Sequence, residues 1–195
     1  MDRGYFPEAL AALYALLFTW LGWTVADRAV WYAEVTPLVL AYLGLLLTAG
    51  RFRFSNLSYL AVFIALMWHT VGAHYTFSLV PMGWLVEALG LARNPYDRIG
   101  HVLLGLLVLP VMEVLLRKRL CGLALASWFA VFTIGAVGAL YEIIEWAYAV
   151  LEGGGAGIGF LGAQGDPWDA QADMACNLAG ALLALPLYWR FGPRG

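Results

Sequence analysis

Six stretches of this chain are long and apolar enough to cross a bilayer, and nothing else in the sequence narrows the fold as much. A crossing takes about 20 mostly apolar residues, and such runs lie near residues 9–26, 30–49, 57–75, 96–116, 120–151 and 167–191. Inside hydrocarbon every backbone N–H and C=O needs an internal partner, so runs of this length must be helices. The expected fold is all-α, a polytopic transmembrane bundle forming one integral membrane domain over residues 1–195, because no linker divides the chain. Composition agrees, with 63% hydrophobic and 12% charged residues and a mean hydropathy of +0.77. A soluble domain carries about 25% charge, and the polar side chains here are too few to cover one. The first run is too long for a signal-peptide core and no small-residue cleavage motif follows it, so it is read as a span. The second is the least regular, opening on Trp31, Tyr32 and Glu34 and containing Pro37.

Basic residues set the expected orientation. With six spans both termini share a side, and that side holds Arg3, Arg51, Arg53, Arg117, Lys118, Arg119, Arg190 and Arg194. Only Arg28, Arg93 and Arg98 fall on the other. The asymmetry makes both termini cytoplasmic. A net charge of −2, with no basic run longer than Arg117-Lys118-Arg119, gives no basis for a nucleic-acid partner. Cys121 and Cys176 lie near opposite ends of their spans and read as small packing residues.

On this frame the ionisable residues gather toward the non-cytoplasmic face. His69 and His74 end the third helix, Asp97 and His101 begin the fourth, and Glu142 and Glu145 lie late in the fifth. Asp166, Asp169, Asp173 and Asn177 run down the start of the sixth. Charge inside a span is costly and usually marks a site. Spacings of three and four put Asp97 with His101, Glu142 with Glu145, and the whole Asp166–Asn177 series on shared helix faces. Carboxylates so close repel one another unless a cation or protons lie between them. Hard divalent ions take such oxygen ligands, and imidazole favours zinc, manganese or iron.

Ordinary structural roles compete for several of these residues. Asn94-Pro95 and Asp166-Pro167 each read as a helix cap followed by proline. Asp97 and Asp169 then sit where a carboxylate complements the helix dipole, so for them capping and site roles stand side by side. Asp173 and Asn177 are too deep for capping. Glu142 and Glu145 have pairing with Arg98 as their structural alternative, and the histidines have a hydrogen-bonded core role. Glu113 precedes Arg117 by four and reads as a helical ion pair near the cytoplasmic surface. Trp68, Trp84, Trp146 and Trp168 read as an interfacial aromatic belt. Gly100, Gly105, Gly135 and Gly138 suit close helix packing. The glycine-rich run 153–165 has neither the lysine nor the Ser/Thr of a phosphate loop; one candidate role for it is a mobile cover over the site.

The strings HTVGAHYTFSLVP from His69, RNPYDRIGH from Arg93, YEIIEW from Tyr141 and FLGAQGDPWDAQADM from Phe160 resemble motifs of the YjdF-like bacterial inner-membrane family. That resemblance covers about two-thirds of the chain, from the third helix onward. It implies a multi-pass protein of the bacterial cytoplasmic membrane and carries no reaction with it. More distantly, Asp97-Arg98-x-x-His101, Glu142-x-x-Glu145 and Asp173-x-x-x-Asn177-x-x-Gly180 are similar to the VanZ-like family. The chain departs from that pattern in having Glu145 where glutamine is usual and no arginine ahead of Asp169.

From the residues, the leading functional expectation is a metal-dependent hydrolase or transferase acting on a lipid-linked substrate at the outer leaflet. His101, Glu142, Glu145, Asp169 and Asp173 are the expected ligands of a zinc, manganese, magnesium or iron ion. Glu142 or His74 is the expected base toward metal-bound water. His69, Asp97, Arg98, Gln164, Asp166 and Asn177 are expected to contact substrate or support the ligands. Two other classes remain open: an ion- or proton-coupled transporter using the same carboxylates, and a non-catalytic scaffold held by a buried polar network. Membrane lipids are the expected partners.

Overall fold

In the computed structural model, residues 5–25, 27–152 and 163–193 are described. Ala26, Arg3, Arg194 and most of the glycine-rich run fall outside them, and with that run the expected cover. All the regular structure among the described residues is helical. The first crossing is α1 (Phe6–Trp23), followed by α2 (Arg28–Thr48) and α3 (Asn56–Tyr75). A short α4 (Gly83–Leu89) leads to a composite fourth crossing of α5 (Tyr96–Leu104), a single 3-10 turn (Gly105–Leu107) and α6 (Val108–Arg117). Then come α7 (Leu123–Glu152) and α8 (Asp169–Phe191). These make six helical crossings with the hydropathy of membrane spans, as the sequence predicts.

Local chemistry places the ends. Asp27 caps α2 by accepting from the N–H groups of Ala29 and Val30 at 2.8 and 3.1 Å. Ser55 caps α3 through the N–H of Ser58 at 3.3 Å. α7 starts three residues later than expected because Arg119 adopts a left-handed turn at φ 54°. The 3-10 turn in the fourth crossing has its cause in Pro110: the ring removes one N–H and crowds the carbonyl of Leu106, four residues back, so the chain tightens there.

The core lies between α6, α7, α8 and the first half of α3, where Val108, Met112, Ala130, Ile134, Ala181 and Leu185 are buried. Side chains facing outward are just as apolar: Leu16, Leu47, Phe132, Ile143 and Leu183 are all exposed. A bundle with an apolar interior and an apolar exterior requires lipid as its solvent. α5 and α8 approach to backbone contact, since a Cβ on Gly105 would land on the Gly180 backbone and one on Gly180 would land on the Val102 carbonyl. Gly138 likewise makes room for the Asn177 side chain. The expectation of glycine-mediated packing thus holds, with Gly180 added to it.

Two expectations need correction. Glu113 does pair with Arg117, at 2.6 Å, but it is completely buried rather than superficial. It accepts from the Ser55 N–H, Ser55 Oγ and Ser58 Oγ at 2.7, 2.7 and 2.5 Å, pinning the start of α3 to α6. Trp68 is a helix contact and leaves the expected belt: it stacks on Tyr96 at 4.3 Å and donates its Nε1–H to the Tyr96 carbonyl at 3.1 Å. Trp84, Trp146 and Trp168 are exposed, as belt residues must be.

Candidate functional site

Two matching junctions build the site. Asn94 Oδ1 accepts from the Tyr96 N–H at 3.0 Å and Asp166 Oδ1 from the Trp168 N–H at 2.9 Å. In each case the residue before proline folds its side chain over the turn that launches α5 or α8. The junctions are tied together: the Asn94 N–H donates to Gln164 Oε1 at 2.9 Å, and Gln164 Nε2 returns a bond to the Asn94 carbonyl at 3.1 Å. Gln164, expected near substrate, therefore works as a clamp between loops.

Above α8 the arginines come from the α4–α5 side. Arg93 pairs with Asp169. Arg98 reaches Asp166 at 2.7 Å, Asp169 at 3.0 Å and, through Nε, Asp173 at 3.6 Å. The Trp168 N–H first, and then Arg98, hold the Asp166 carboxyl below the usual carboxylate range. Asp169 is committed to two guanidinium groups. Among the described residues the group whose possible ligand atoms converge is Asp97, His101 and Asp173, without it.

One turn deeper lies the part of the cluster without basic partners enough. Asp97, His101 and Asp173 can bring one ligand atom each within 4.8 Å of one another. His101 Nε2 is 3.5 Å from both Asp97 and Glu142. Its Nδ1 lies 3.2 Å from Asn177 Oδ1, an acceptor, so Nδ1 carries a proton and Nε2 is the ring nitrogen that faces the carboxylates. Glu142 Oε1, Asp173 Oδ1 and Asn177 Nδ2 are buried with no hydrogen-bond partner, and buried polar atoms of this kind call for an explanation. Asp97, expected in a supporting role, belongs to the innermost group.

A second polar unit adjoins it along α7. Glu34, buried within α2, lies 3.0 Å from His69 Nε2 and accepts a hydrogen bond from the Tyr141 hydroxyl. Glu145 has Glu34, Glu142, Asp97 and Asp173 as electrostatic neighbours, so it stands between the two units. His69 is thereby placed beside Glu34. Glu34 and Tyr141 were missed as site residues: Glu34 sits in the least regular run, and a tyrosine next to an acid carries little signal. His74 does not reach the cluster at all. Its Nδ1 is engaged with the Leu21 carbonyl at 2.8 Å, which binds α3 to α1.

A family model described as a predicted membrane protein, DUF2238, matches residues 6–194. The chain is also similar to the inner membrane protein YjdF of Escherichia coli (strain K12), at 40% identity over 187 residues, covering 94% of this chain and 88% of that protein. No solved structure matches.

Proposed function

The chain belongs to the DUF2238 family of membrane proteins and is itself multi-pass, and we propose that it is a metal-dependent enzyme of the inner membrane acting on a phosphate-bearing, lipid-linked substrate at the non-cytoplasmic face. The observation that carries this reading is the excess of buried negative charge around His101. Among the described residues Asp97, Glu142 and Asp173 share only His101 and the long contact to Arg98, Glu145 is a further acid electrostatically close to all three, and Glu142 Oε1 and Asp173 Oδ1 lack hydrogen bonds. A divalent cation resolves both deficits at once.

Asp97, His101 and Asp173 are the ligands in this reading. Asn177 fixes the His101 ring and its tautomer, in the way that second partners orient metal-binding histidines. Such an ion supplies charge stabilisation and a water of lowered pKa. Glu142 accepts the proton of the attacking water, being buried at 3.5 Å from His101 Nε2 with a vacant oxygen lone pair. Arg93 Nε and Nη2 and Arg98 Nε also lack hydrogen-bond partners, and they supply donors for phosphate oxygens. Transfer of the phosphate group to water or to another acceptor is the reaction class. Placement at one end of the bundle favours a head group entering from the surface over a carrier site at the midplane.

The test is elemental analysis of detergent-purified protein with phosphate release from lipid-phosphate substrates. Wild type should hold near-stoichiometric zinc, manganese, magnesium or iron, and Asp173→Ala should lose it. Glu142→Gln should keep the metal and lose turnover. A wild type that binds none of these ions, even after reconstitution, sinks the reading and directs attention to transport assays.

A further inference from the structure

At the end of the bundle remote from the acid cluster, α1, α2 and α3 leave a groove of about 330 Å³ between them, within the range of ligand pockets, about 300–1,000 Å³. Its long walls are apolar, with Leu10, Ala11, Leu45 and Leu66 among them. Three tyrosines also line it, but their hydroxyls are engaged: Tyr14 with Thr70 Oγ1 at 3.1 Å, Tyr42 with the Ala11 carbonyl at 3.0 Å, and Tyr59 accepting from the Phe54 N–H at 3.4 Å. Glu8 and Arg53 stand at one end, joined at 2.7 Å.

Beyond that end the surface is cationic. Arg117 donates to the Arg53 carbonyl at 2.6 Å and lies over the Phe52 ring, and Lys118 Nζ lies 5.9 Å from the same ring. Arg51 and Arg119 occupy the same two loops. Among the described residues the acids available here are Glu8 and Glu113, and Glu113 is buried and already satisfied by Ser55, Ser58 and Arg117. Among the described residues Lys118 forms no ion pair with an acid.

We propose that this groove holds one acyl chain of an anionic phospholipid, with its phosphate bound by Arg53 and Lys118 beside Phe52. An acyl chain gains no hydrophobic free energy by leaving the bilayer for the groove, because lipid tails are as apolar as the side chains that line it. Retention must therefore come from the head group, and basic pockets between membrane helices select anionic ones. A zwitterionic lipid would bring its own cation to a surface already rich in cations. The site is independent of the proposed chemistry at His101 and survives if that reading fails.

The experiment uses full-length protein in bilayer discs of phosphatidylglycerol or phosphatidylcholine, read by melting temperature and by the phospholipid retained per chain after transfer to detergent. Wild type should retain about one phosphatidylglycerol, with a preference of about tenfold over phosphatidylcholine, and melt higher in the anionic discs. Ala11→Trp fills the groove and should abolish retention. Arg53→Gln with Lys118→Gln changes one half-buried and one exposed side chain and should remove the preference while leaving helicity by circular dichroism intact. Equal retention of the two lipids by wild type overturns the proposal, and so does a preference that persists in the Arg53/Lys118 variant.

Discussion

His101 is held from two sides, with Asn177 on Nδ1 at 3.2 Å and acids facing Nε2. Asn177 is fully buried against Gly138, so its carbonyl has no freedom to turn away. Replacing Asn177 by alanine should leave the fold in place and weaken metal binding by about 10- to 100-fold, the usual effect of losing a partner that orients a ligand. Competition with a chelator measures it, and unchanged affinity would show that Asn177 only packs. The spacing of Asp173 and Asn177 made both residues legible as something other than caps. The partition among the acids was not legible, because it depends on where arginines from another segment arrive. Arg93 and Arg98 claim Asp169 and leave Asp97 and Asp173 for the inner group. The arginine absent ahead of Asp169 in sequence is supplied in space.

Helices α5 and α8 carry the inner group because they meet without side chains between them. Gly180 is the tightest point, where a Cβ would overlap the Val102 carbonyl. Gly180→Ala should therefore lower the melting temperature in detergent, by a cost of about 1–3 kcal/mol. Gly122→Ala, which meets open space, serves as the control. Equal melting of the two variants would mean that the close approach is dispensable. The paired junctions at Asn94 and Asp166 were visible as residue-proline-aromatic strings, since such turns are local chemistry. Their mutual clamp through Gln164 was not, because the two segments are seventy positions apart.

For the molecule in its membrane, the cations divide between the two ends of the bundle. Arg51, Arg53, Arg117 and Lys118 gather around Phe52 and the start of α3, while Arg93 and Arg98 lie with the acid cluster. The positive-inside asymmetry predicts a cytoplasmic Phe52 end and an acid cluster turned outward. With Cys121 and Cys176 replaced by alanine, a membrane-impermeant maleimide added to intact spheroplasts should label Leu91→Cys and spare Gly50→Cys. The reverse pattern would invert the orientation and place the proposed chemistry in the cytoplasm.

Six crossings and the identity of most polar residues in the cluster follow from the sequence, because hydropathy and helical spacing are short-range properties. So does the glycine-lined helix contact in outline. Which histidine serves which acid came only with the tertiary structure. His69 was drawn to Glu34 on α2, His74 to a carbonyl of α1, and His101 alone to the inner carboxylates. Helix spacing tells which side chains share a face, but the helix that the face meets is fixed by packing among six similar apolar rods. In lipid that packing is decided by small residues and a few polar bonds, and those act across distances in sequence that no local pattern records.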